Sequence, residues 1–93
     1  MTYAELDSLH NELTSAHKGD PAANDAVSRG TGLIIKMLVN DGVTSATLKQ
    51  QFAENLQSFS DPQHKQLFRE AFSLTTRLVT AAIKEAIAER RAA

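Results

Sequence analysis

Apolar residues recur along this chain at three- and four-residue intervals, the spacing of amphipathic helices, and three short breaks divide the recurrence. The breaks are HKGDP at 17–21, NDG at 40–42 and SDP at 60–62, each a helix stop followed by a helix start. Between them lies no alternating β-branched segment, no hairpin dipeptide flanked by strands, no internal repeat and no low-complexity tract. The pattern predicts an all-α fold, a small four-helix bundle-like domain with a long central C-terminal helix. The helices are expected at about 3–18, 21–40, 45–58 and 62–91.

In the first helix Thr2 and Glu5 have the spacing of a capping box, and Gly19 and Pro21 end it. Tyr3, Leu6, Leu9, Leu13 and Ala16 share one face, with His10 and His17 at its edge. These two histidines are seven residues apart, roughly 10 Å along a helix, too far to share a metal ion. The expectation is that they border the core, and a pH-sensitive contact with a partner is the functional alternative.

The second helix opens on Asp20 as cap with Pro21 in its first turn. Ala23, Ala26, Val27, Gly30, Leu33, Ile34, Met37 and Leu38 form its broad apolar face. Gly30, in the middle of that face, would let another helix approach closely, and the pair Gly30/Gly32 could also bend the helix. Ile35 and Val39 point away, as partner surface or towards a second layer. SRGTG is no phosphate loop, because it lacks a GK[ST] ending and a preceding strand.

The third helix carries a narrow stripe of Leu48, Phe52, Leu56 and Phe59. The fourth, from Asp61-Pro62, meets no breaker before the end. Thirty residues would reach about 45 Å, whereas a compact chain of this length has a radius of gyration of about 12 Å, so the helix must overhang, bend or fray. Leu67, Phe68, Ala71, Phe72, Leu74, Leu78, Val79, Ala82 and Ile83 cover more than half its circumference, an arc expected of a helix surrounded by the others. Beyond Lys84 only the weak strip of Ala86 and Ile87 remains, flanked by Glu85 and Glu89.

Composition narrows the function classes. The chain has 93 residues, which fits one domain, and no Cys, so it offers no disulfide, thiolate nucleophile or Cys-based zinc site. Ten Lys and Arg against eleven Asp and Glu give a net charge of -1, and no global field draws it to nucleic acid. The N-terminal MTYAELDSLHNELT is unlike a secretory signal, and no apolar run approaches bilayer length; a soluble, cytoplasmic protein is expected. No HExxH, Gly-x-Ser-x-Gly or Walker sequence is present. No catalytic residue, cofactor or metal site is therefore expected. Asp7 and His10 are a turn apart but lack a serine placed to complete a triad, and Glu85 with Glu89 make a poor cation site.

One stretch resembles a known family. GVTSATL, residues 42–48, is similar to the turn and early second helix of bacterial helix-turn-helix repressors, through Gly42, Val43, Thr44, Thr47 and Leu48. The resemblance implies a recognition helix in the major groove, with Thr44, Ser45, Thr47, Lys49 and Gln50 contacting phosphates or bases. Bulky Leu38 stands where the motif has Ala, Gln51 where it is usually apolar, and Lys49 is the only base in 41–58, between Asp41 and Glu54. The same letters also read as helix-ending chemistry, with Gly42 as a left-handed stop and Thr44 or Ser45 as the next cap. The preferred expectation is a small non-catalytic adaptor, inhibitor or chaperone-like module that binds another protein or a second copy of itself. Its expected interface is Ile35, Val39, Val79, Ile83, Ala86 and Ile87, with His10 and His17 as modulators.

Overall fold

A computed structural model describes residues 1–40 and 42–92; Asp41, named above beside the second turn, lies outside the described residues. Four helices follow one another: α1 (Tyr3–Ala16), α2 (Pro21–Val39), α3 (Ser45–Ser58) and α4 (Pro62–Ala92). The fold is all-α, and no strand occurs among the described residues.

Local chemistry starts each helix where the side chains satisfy free backbone donors. The Thr2 hydroxyl accepts from the Glu5 N–H, while the Glu5 carboxylate accepts from Thr2, completing the capping box of α1. Asp20 accepts from Ala22 and Ala23 at 3.1 and 3.3 Å, Thr44 from Thr47 at 3.2 Å, and Asp61 from Gln63 at 2.8 Å. Helix ends are less regular. α1 stops at Ala16, two residues short of expectation, with His17 as its C-cap. Gly42 does not adopt a left-handed conformation, as no described glycine has positive φ. The Asn40 side chain instead accepts the Gly42 N–H at 3.0 Å, so an Asx turn closes the α2–α3 connection.

The helices run up, down, up and down. Ala22 and Asp25 share a cleft with Ser60 and His64, while Thr31 lies beside Thr75, so α2 and α4 advance together. Phe59 stacks on Phe68, and Phe52 on Phe68 and Phe72, so α3 runs against α4. Met1, Thr2 and Leu6 face Thr76–Glu85 while His10 reaches Thr31, so α1 opposes α4 as well.

Gly30 is where α2 and α4 meet most closely. A Cβ built there would stand 2.5 Å from the Phe68 carbonyl oxygen and 2.9 Å from the Phe72 nitrogen, distances that only glycine allows. Around this crossing Ala26, Leu33, Phe59 and Phe68 are buried, with Leu48, Phe52, Leu56, Leu67 and Phe72 packed against them. All four phenylalanines thus belong to one cluster, with ring centroids 4.8–5.7 Å apart in tilted or edge arrangements. α2 stays continuous through Gly30 and Gly32.

The wide apolar arc of α4 is not surrounded. Phe68, Ala71 and Thr75 are its buried residues, Leu74, Leu78, Val79 and Ala82 are half-buried, and Ile83 is exposed. The reason is length: α4 has 31 residues against 14 in α1, 19 in α2 and 14 in α3, so it runs on beyond its neighbours. The molecule accordingly measures 49 × 31 × 17 Å with a radius of gyration of 14.5 Å, larger than the value expected of a compact chain. α4 overhangs instead of breaking, and spans about 46 Å at the usual helical rise.

Candidate apolar interface

A row of hydrogen bonds marks the middle of the bundle. His10 Nε2 lies 2.8 Å from the Thr31 hydroxyl, which lies 3.4 Å from that of Thr75; Thr75 in turn donates to the Ala71 carbonyl at 2.7 Å. The row joins α1, α2 and α4 at one level. It also gives a buried hydroxyl, Thr75, the partner that burial demands.

All the exposed large hydrophobic residues lie on one side of this level. They are Met1 and Tyr3 before His10, Ile35, Leu38 and Val39 after Thr31, and Ile83 and Ile87 after Thr75. The up-and-down topology brings these stretches to the same end of the molecule. Val39 is 78% exposed and Met1 64%, far beyond what a buried face would show.

Of the residues expected at an interface, Ile35, Val39, Ile83, Ala86 and Ile87 are exposed, and Val79 is half-buried. The topology places all six in the same half. Leu38, assigned above to the core face, is 52% exposed and joins them, because α2 runs on past the elements that cover its middle. Tyr3, assigned to the core face of α1, is also more than a third exposed.

Between α3 and α4 is a slot of about 450 Å³ lined by Leu48, Lys49, Phe52 and Phe72. The sequence hid it, because its three apolar residues look like ordinary core positions. On the α1 side a second concavity, about 430 Å³, is lined by Met1, Thr2, Leu6, Thr76, Arg77, Thr80, Ala81, Lys84 and Glu85.

The other named residues are polar or titratable, and those at the start of α3 lie near the same end, because α3 begins just after Val39. His10 is half-buried and engaged with Thr31 instead of Asp7, and His17 is half-buried at the end of α1. Thr44, Ser45, Lys49 and Gln50 are exposed at the start of α3, with Thr47 half-buried. Several of their polar groups are spent locally: the Thr44 and Thr47 hydroxyls pair at 3.0 Å, and Gln50 donates to Glu54 at 3.2 Å.

The polar end holds one ordered cation. Arg29 Nε meets Asp25 at 3.1 Å, its Nη1 donates to the Ser58 hydroxyl at 2.9 Å, and the guanidinium lies 5.1 Å from the Phe59 ring centroid. This arrangement fastens α2 to the end of α3, at the wall of a cleft of about 390 Å³ that also includes His64. Among the described residues, no group of three or more His, Cys, Asp or Glu is placed to hold a metal ion, and no helix is long and apolar enough to cross a membrane.

Comparison with protein-family models, curated proteins and solved structures returns no match for this chain.

Proposed function

We propose that this chain is a helical protein–protein interaction module, and that it receives its partner on the apolar end of the bundle. The observation that carries the reading is the clustering: seven exposed large hydrophobic residues, six from three helices and Met1 just before α1, share one end. Scattered singly over a surface such residues need no explanation, but gathered together they resemble the apolar centre of an interface. Ile83 and Leu38 are its best anchors, each about half exposed on a stable helix. A second copy of the chain belongs among the candidate partners, since a molecule this thin gains apolar burial by association.

The test compares wild type with Ile83→Asp, Leu38→Asp and, at the opposite end, Gln63→Asp. Each tagged protein is used to recover partners from nuclease-treated extract of its source cells, and each is sized by light scattering. A stoichiometric partner, or a dimer, should be lost with the two apolar-end variants and kept with Gln63→Asp, while circular dichroism shows unchanged helicity. Identical recovery and identical monomeric mass for all four proteins would rule the reading out.

A further inference from the structure

We infer that the partner segment is an acidic amphipathic helix, one that sets carboxylates two turns apart beside an apolar edge. The inference rests on the proposed apolar interface and adds the chemistry of what occupies it.

Its basis is a row of cations on α4. Arg77, Lys84 and Arg91 follow one another at intervals of seven residues, so they lie along one side of the helix about 10 Å apart. Beside that row, within the same turns, run the exposed Ile83 and Ile87. Arg77 and Lys84 also line the concavity whose apolar residues are Met1, Leu6 and Ala81.

Among the described residues neither cation has a carboxylate within ion-pair distance. Among the described residues the ion pairs within 4.0 Å are Arg29–Asp25 and His64–Asp61, both at the other end of the bundle. Arg77 donates only to the Met1 sulfur, at 3.7 Å, a weak acceptor. Glu85, the one carboxylate lining the concavity, forms an ion pair with neither.

An apolar edge bordered by a regular cationic row is the complement of a helix with Glu or Asp at positions i and i+7 and Leu, Ile or Phe between them. Such a helix buries its apolar residues against Ile83, Ile87 and the concavity while its carboxylates meet Arg77 and Lys84. A second copy packed α4 against α4 fits less well. If two α4 helices packed antiparallel along this edge, symmetry would bring the two basic rows to the same side.

The experiment is a selection from a displayed library of helical peptides, randomised on one face, against wild type, Arg77→Glu/Lys84→Glu and Ile83→Asp. Peptides chosen by wild type should carry acids seven residues apart beside apolar residues. Fluorescence anisotropy should show them binding at least about tenfold more weakly to the charge-reversed protein, which should itself select Lys or Arg at those positions. Arg77→Gln/Lys84→Gln should fall between the two.

Apolar peptides without the acidic spacing, indifferent to charge reversal but lost with Ile83→Asp, would overturn this inference and leave the interaction reading standing. If no selected peptide depends on Ile83, both fail. Binding to phosphatidylglycerol vesicles that is abolished by charge reversal, with no acidic peptide selected, would overturn the inference in favour of a membrane surface.

Discussion

Two glycines in one helix, two residues apart, have opposite roles. Gly30 faces the backbone of α4, where an added methyl would stand 2.5 Å from a carbonyl oxygen that cannot rotate away. Gly32 has nothing within 4 Å. Alanine favours a helix over glycine by about 1 kcal/mol, so only the packing separates the two sites. Gly32→Ala should raise stability by up to about 1 kcal/mol. Gly30→Ala should lower it by about 1–3 kcal/mol, as overpacking of a close crossing outweighs the helical gain. Urea unfolding midpoints of the two variants should move in opposite directions. Thr31 offers a second test at this scale. Thr31→Val removes the hydroxyl between His10 and Thr75 and should cost about 1 kcal/mol, whereas Thr31→Ser should retain most of the stability.

What was legible at the scale of elements followed from the range of the interactions. Caps are local: Thr2 with Glu5, Asp20 with Pro21, and Thr44 with Thr47 act within three residues, so the sequence pattern locates the helix starts. Gly30 was legible as a close approach because a glycine within an apolar face has few other uses. The exposure of Leu38 was not legible, and neither was how far the wide apolar arc of α4 stays uncovered. A helical wheel counts apolar positions but carries no information on how far a neighbouring helix extends, and here α3 is less than half as long as α4. Nor does a wheel reveal that the ends of three helices converge; that depends on the sense in which each runs. The overhang leads to a prediction for α4 as an element. Every residue from Ile83 to Ala92 is exposed, so a chain stopped after Glu85 should keep its unfolding free energy within about 0.5 kcal/mol of wild type, measured at low concentration. The same truncation should weaken partner binding through loss of Ile87, while Ile83 and Leu38 remain.

At the scale of the whole molecule, stability is unevenly distributed. The buried residues gather around the Gly30 crossing, while both long helices run out into solvent at the apolar end. Amide hydrogen exchange should therefore be slowest near Gly30 and Phe68 and fastest from Ile87 to Ala92. Binding of a partner should slow exchange most in that outer segment, where the free protein has least to protect it.

The His10–Thr31–Thr75 row has a consequence beyond satisfying one buried hydroxyl. Helices joined only by apolar contact can settle into alternative packings by shifting one turn, about 5.4 Å, along each other. Polar atoms 2.8 Å apart do not survive such a shift, so the row acts as a register pin between α1, α2 and α4. Apolar residues on three separate helices are thereby held level with one another. The shape that a partner meets at one end of the molecule is set by three side chains in its middle.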